Sequence, residues 1–211
     1  MKELPKFISL LELTREQVQY GYFLAGIARH ETSSLAEHHY LVTMIGWLLC
    51  EYINADEKLV DAAEVMKICL IHDLGEIFGG DMAAPLSRKR PELKKYAQGM
   101  EEGNFSILTS YLDAPVAEKF QALFEQEEQR VTQESMIAKV ADMLETHFFL
   151  EHRNIQSKQK DDFYRDHILP LGDKITDPRV KEKIVEFIQG FDTCINRQGF
   201  TAGKWILDEG K

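Results

Sequence analysis

Long hydrophobic runs are missing from this chain. No apolar stretch approaches the roughly 18 residues that a membrane-spanning helix needs, so a membrane partner is not expected. Cysteine is scarce: Cys50, Cys69 and Cys194 lie far apart in 211 residues. Two of them sit inside apolar helical patterns, so they read as buried thiols of a reducing compartment and not as a disulfide framework. Positive charge is short as well, with 25 Lys and Arg against 35 Asp and Glu and a net charge of −10 with histidine neutral. Without a basic stripe there are few counterions to release, which argues against a nucleic-acid polymer as partner. Small anions stay allowed where a metal supplies positive charge locally. The start, Met1 to Lys6, leads into Phe7–Leu13, where Glu12 interrupts the apolar run and no small-residue cleavage site follows. The expectation is a cytoplasmic protein without a secretory leader. A hydrophobic fraction of 44% with 28% charged residues excludes wholesale disorder, and the length suits one domain spanning residues 1–211.

What is present is helical periodicity. Thr14-x-x-Gln17 reads as a capping box ahead of Val18, Tyr22, Leu24, Ala25 and Ala28. Ser34-x-x-Glu37 is a second box, followed by Leu41, Val42, Ile45, Leu48, Leu49 and Tyr52 at helical spacing. Asp56 is the expected cap of a third helix, whose stripe of Val60, Ala63, Val65, Met66, Cys69 and Leu70 runs up to His72-Asp73. Gly79 to Pro91 reads as a loop. Pro91 opens a polar helix to about Leu112, Pro115 starts another, and Thr132 caps a long one through Leu150. Asp161–Leu169 and Val180–Ile195 are further helical stretches, parted by Pro170-Leu171-Gly172 and Asp177-Pro178, with a tail after Gly199. Strand signals are weak. The predicted fold class is all-α, a single helical bundle.

The chemistry concentrates in Ile71-His72-Asp73-Leu74-Gly75-Glu76-Ile77-Phe78-Gly79-Gly80-Asp81. Four ionisable groups fall within ten residues next to apolar walls, and several buried carboxylates call for a counter-cation. Glu76, four residues after His72, shares its face if the helix continues one more turn. Glu37-His38 opens the second helix, and Asp142 interrupts a small, apolar face beside Ala138 and Ala141, where aspartate is a poor helix residue. Two imidazoles and two carboxylates, His38, His72, Asp73 and Asp142, form a mixed nitrogen–oxygen set. It suits one divalent transition metal, Mn, Co, Fe, Ni or Zn, better than Mg or Ca. His39 is the alternative ligand if the helix register is shifted by one. Glu145 reads equally as support for the site or as a solvated face, and Lys139 as a neutralising or a solvated cation. The run Glu125–Glu128 reads as an exposed face, and His147, His152 and His167 as surface or partly buried residues.

In its order of blocks, Ala36-Glu37-His38, then His72-Asp73 through Asp81, then Lys139-x-x-Asp142-x-x-Glu145, the chain resembles the HD superfamily of metal-dependent phosphohydrolases. It is most similar to the compact 5′-deoxynucleotidase branch, over about residues 22–150. The resemblance implies an HD-domain helical bundle and a homodimer, the C-terminal helices over 161–198 lying beyond the motif-bearing core. It implies a phosphomonoesterase acting on small 5′-(deoxy)nucleoside monophosphates, with His38, His72, Asp73 and Asp142 as metal ligands and Glu76 as the acid/base carboxylate. Asp81 would contact the sugar or orient water, and Arg29 would hold the phosphate. Relatives follow that arginine with an aromatic residue and a longer loop; here Arg29-His30-Glu31-Thr32 runs directly into the cap. Two-metal branches add histidines between the HD pair and the last aspartate, whereas none occurs here between His72 and His147. A nucleotide-binding sensor module without turnover is the alternative class, and hydrolysis of a different small phosphoester is a second alternative.

Overall fold

The computed structural model describes residues 3–79, 81–153, 167–191 and residue 206. Its helices are α1 (Leu4–Leu11), α2 (Gly21–Leu24), α3 (Leu35–Ile53), α4 (Ala62–Ile71), α5 (Ala84–Lys89), α6 (Pro91–Thr109) and α7 (Ala114–Gln129), then α8 (Gln133–His152), α9 (Leu169–Asp173) and α10 (Pro178–Phe191). Among the described residues the extended pairing amounts to one antiparallel bridge, Val18 with Ser34. The expected all-α class is therefore observed. No described helix is long and apolar enough to cross a membrane.

Local chemistry explains where the principal helices begin. Ser34 Oγ accepts the Glu37 N–H at 3.3 Å while the Ser34 N–H donates to Glu37 Oε2 at 2.8 Å, a reciprocal box that fixes the register of α3. Thr132 and Ser135 form the corresponding box on α8, with bonds of 3.1 and 3.2 Å. Prolines stand in the first turns of α6 and α7, where their missing N–H costs nothing.

Elsewhere the structure departs from the sequence expectations. Thr14 lies in a 3-10 turn, Glu12–Arg15, its hydroxyl donating to Leu11 O at 2.7 Å. The helix expected over Val18–Ala28 is only the single turn α2, ended near Gly26, whose φ of +86° a continuing helix cannot use. Asp56 yields the third cap to Asp61, which accepts from the Ala63 and Glu64 N–H groups at 2.9 and 3.3 Å. The reason lies upstream: the Asn54 amide accepts from Leu59 and Val60 and carries the chain round a wider turn. Asp56 pairs instead with Lys183 at 3.2 Å. The loop expected over Gly79–Pro91 contains α5, and α6 ends at Thr109, short of Leu112. Pro170-Leu171-Gly172 forms α9 and not a break, since proline fits a first turn. Asp161 to Asp166, Cys194, Trp205 and the tail at 199–205 and 207–211 lie outside the described residues.

α3, α4 and α8 pack against one another around Val42, Leu49, Val65, Ile68, Val140 and Leu144, all fully buried. Each such side chain contributes about 1.5–3 kcal/mol relative to exposure. The three helices meet closely at Gly46, where a Cβ would sit 3.0 Å from Cys69 Sγ and 3.6 Å from Ala141 Cβ. A second apolar cluster, Phe7, Ile71, Leu74, Phe105, Leu108 and Phe124, joins α1, α4, α6 and α7, with Phe105 and Phe124 stacked at 4.2 Å.

Candidate metal centre

α4 ends at Ile71, and His72 is its C-cap. Leu74–Glu76 then forms a 3-10 turn, so Glu76 is carried by that turn and not by a prolonged helix. Gly75 lets this turn lie against α6. A Cβ there would lie 2.7 Å from the Glu101 carbonyl oxygen of α6, and Asn104 clasps the same glycine by donating to its carbonyl at 2.8 Å.

Four expected side chains converge from three places. His38 Nε2 lies 3.2 Å from His72 Nε2, 3.6 Å from Asp73 Oδ2 and 3.3 Å from Asp142 Oδ1. His72 Nε2 lies 3.2 Å from Asp73 Oδ2 and 3.9 Å from Asp142 Oδ1. His38, His72 and Asp73 alone bring three ligand atoms within 4.8 Å of one another.

The outer ring nitrogens decide what this cluster can hold. His72 Nδ1 faces the Cys69 carbonyl at 2.8 Å, which can only accept, so Nδ1 carries the proton. His38 Nδ1 donates in the same way to Glu145 Oε2 at 2.6 Å. Two neutral imidazoles so fixed would aim two Nε2 lone pairs at each other beside two carboxylates, an arrangement that requires a cation between them. The donor set fits a divalent metal on that ground. Without one, protons take its place. Burial lowers the His38 imidazole, but Asp142 and Glu145 outweigh burial and lift it to about 10. His72 is raised likewise, Asp73 outweighing its burial. Burial pushes Asp73 and Asp142 up, yet His72 for the first and Lys139 for the second hold both below the usual carboxylate range.

His39 points elsewhere. Its ring stands 4.9 Å from that of His72, burial and the neighbouring His72 charge push it down to about 3, and Nε2 has no hydrogen-bond partner among the described residues. Of the adjacent histidines, His38 is the one that faces the cluster.

A second set of carboxylates flanks the first. Burial lifts Glu76 well above its ordinary value, and the charges of Asp73 and Asp81 lift it further. Burial also raises Asp81, against the backbone N–H of Tyr20 that its Oδ2 accepts. That bond ties Asp81 to the start of α2. Glu101 on α6 rises to about 7, through burial first and then Glu128 and Asp73.

The structure does not bring Arg29 into this cluster. It is exposed and lines a groove of about 650 Å³ with Arg15, Glu37 and Tyr40, and none of the four converging residues borders that groove. Glu145, undecided in the sequence, is fully buried on His38, and Lys139 donates to Asp142 Oδ2. Their signal was helical spacing, since both stand three residues from Asp142. The acidic run is not the exposed face expected: only Glu125 is exposed, Gln126 and Glu128 are half-buried, and Glu127 is buried and paired with Arg130 at 2.8 Å. His147 is likewise buried. Sequence reasoning missed Glu101, because it belongs to no local pattern.

Residues 15–182 match the HD domain family. The 5′-deoxynucleotidase HDDC2 of Dictyostelium discoideum is 31% identical over 114 residues, which make up 53% of this chain and 58% of that protein. The match thus spans little more than half of either. A Pyrococcus horikoshii protein of known structure superposes with a TM-score of 0.65 at 16% identity, covering 88% of this chain and 96% of that one. A conserved hypothetical protein from Pyrococcus furiosus gives 0.62 at 22%, covering 87% and 98%. A protein from Magnetospirillum magnetotacticum MS-1, named a predicted metal-dependent phosphohydrolase, gives 0.60 at 20%, covering 90% and 95%. At these identities the three structures speak for the fold alone.

Proposed function

Because the chain belongs to the HD-domain family, we propose that it is a metal-dependent phosphomonoesterase acting on small 5′-nucleotides, deoxyribonucleotides among them. The observation that carries this reading is the pair of Nε2 lone pairs, on His38 and His72, forced toward Asp73 and Asp142 by what binds their Nδ1 atoms. A mixed nitrogen–oxygen set favours a first-row ion such as Mn, Co, Fe, Ni or Zn. Bound there, a divalent metal polarises a phosphoryl oxygen and lowers the pKa of a water.

The protein's own groups do the rest. Glu145 and the Cys69 carbonyl hold the imidazoles in the ligating tautomer. Glu76, lifted well above its ordinary value by burial, relays a proton between the attacking water and the departing sugar oxygen. Asp81, anchored on Tyr20, keeps lone pairs for a sugar hydroxyl or a water. The nucleotide class draws support from the name of the Dictyostelium relative. A homodimer belongs to the same reading, supported by exposed Tyr40, Trp47 and Leu48 on α3; light scattering at micromolar concentration checks it.

The deciding experiment is phosphate release from a panel of 5′-mono-, 3′-mono- and triphosphate nucleotides, with Mn, Co, Mg or Zn restored after chelation. Metal-dependent release from 5′-monophosphates is expected, with deoxy forms favoured. Silence across the panel with metal bound would replace the enzyme by a nucleotide-binding module.

A further inference from the structure

Asp142 gives its two oxygens to different partners. Oδ1 meets the imidazoles, 3.3 Å from His38 Nε2 and 3.9 Å from His72 Nε2. Oδ2 accepts from Lys139 Nζ. Asp73 meets the same two imidazoles through its Oδ2, at 3.6 and 3.2 Å.

The helix places the lysine. Lys139 and Asp142 stand three residues apart on one face of α8, and the Thr132–Ser135 capping box fixes the register of that helix. Only 21% of the Lys139 side chain and 12% of the Asp142 side chain are exposed, so water competes little for the bond. A pair this enclosed is held, because burying either charge without the other is costly.

For metal affinity this lysine is a handicap. Its charge repels a dication at short range, and it occupies an oxygen that the ion could use. A carboxylate free at both oxygens can clasp a cation with both and fill one more coordination position. With Oδ2 taken, Asp142 has one oxygen to give. His38 Nε2, His72 Nε2, Asp73 Oδ2 and Asp142 Oδ1 then supply four atoms, and a six-coordinate ion such as manganese keeps about two positions. Two are what a phosphoryl oxygen and an attacking water need together.

We propose that Lys139 is a positioning residue, which restricts Asp142 to one ligating oxygen and thereby keeps a coordination position open. On the phosphomonoesterase reading above, on which this role rests, that position serves the phosphoryl group.

The test uses the full chain loaded with manganese. Relaxation of water protons by the bound ion is the readout, with manganese affinity and unfolding temperature measured in parallel. Lys139→Met removes both the donor and the charge while keeping a long apolar stem. Oδ2 then turns to the ion. Relaxation per bound manganese falls by about half, one of two waters being displaced, and manganese affinity rises about 10-fold as the repulsion disappears. Lys139→Arg keeps a charged donor for Oδ2 and stays at the wild-type relaxation. Should Lys139→Met not fold, Lys139→Ala gives the same comparison with a stronger helix former. Unchanged relaxation per bound manganese in the variant without a donor overturns the inference. So does a falling manganese affinity, the sign expected of a residue that merely supports Asp142 as a ligand. A wild-type chain that binds no manganese takes down the metal-dependent reading, and this inference with it. If relaxation and affinity change as expected in a chain that hydrolyses no phosphomonoester, Lys139 keeps its role and the phosphomonoesterase reading alone is removed.

Discussion

Two banks of carboxylates act on each other at the centre, and the same chemical group behaves in opposite ways in each. On one side Asp73 and Asp142 are held ionised, because imidazoles and Lys139 outweigh the burial that would protonate them. On the other, Glu76, Asp81 and Glu101 are raised, because burial acts first and their nearest charged company is mostly acidic. A bank kept ionised receives a cation. A bank whose carboxyls hold their protons more tightly handles protons. The difference comes from partners supplied by α3, the end of α4 and α8 to the first bank and withheld from the second, not from depth of burial, since both are largely enclosed.

The most drastic way to break the comparison is His72→Ala. It deletes one ligand and leaves Asp73 without its imidazole, so metal content after purification should fall to background and turnover with it. Glu76→Gln strikes the other bank: metal stays bound, while kcat falls by about 10²–10⁴ if the carboxyl moves a proton. Wild-type turnover in Glu76→Gln would remove that role.

Glu145→Gln probes how the first bank is held. An amide can accept the His38 Nδ1–H less strongly, and metal affinity should drop about 10-fold, at the lower end for an outer partner of a ligating histidine. Competition against a chelator reads this directly.

Gly75→Ala tests the joint between the banks. A methyl group 2.7 Å from the Glu101 carbonyl must push α6 away, which should cost about 1–3 kcal/mol of overpacking strain and show as a lower unfolding temperature. An unchanged temperature would mean that α6 is not fixed by this approach.

The smallest effect concerns Glu101 in metal-free protein. Its carboxyl titrates near 4.5 in an unfolded chain and at about 7 in the folded one. The unfolded state therefore loses the proton first as pH rises. The stability the group contributes is full below about 4.5 and gone above about 7. Glu101→Gln should flatten the fall in unfolding temperature over that window; an identical slope in wild type and variant would discard the raised value.

Much of this was legible without coordinates. Ser34 with Glu37 and Thr132 with its apolar stripe announced α3 and α8 correctly, since caps and 3.6-residue periodicity are local physics. Asp142 stood out because an aspartate inside a small, apolar helical face is costly without a partner. The local rules failed between Leu11 and Ala28 and again at Asp56, where competing hydrogen bonds from Thr14 and Asn54 redirect the chain. Such competition is settled by neighbours that a linear pattern does not display.

The sequence alone determined the helical class, the principal helix starts and the donor types at His38, His72, Asp73 and Asp142, because each follows from residue chemistry and short-range spacing. Only the tertiary structure decided that His38 and not His39 turns inward, and that Glu145 is a support and not a solvated face. It also decided that Glu101 packs against the Gly75 turn beside the centre while Arg29 lines another groove. Those outcomes depend on how α3, α6, α7 and α8 pack. Packing joins residues about 30 to 110 positions apart, by burial and charge at distances no sequence interval encodes.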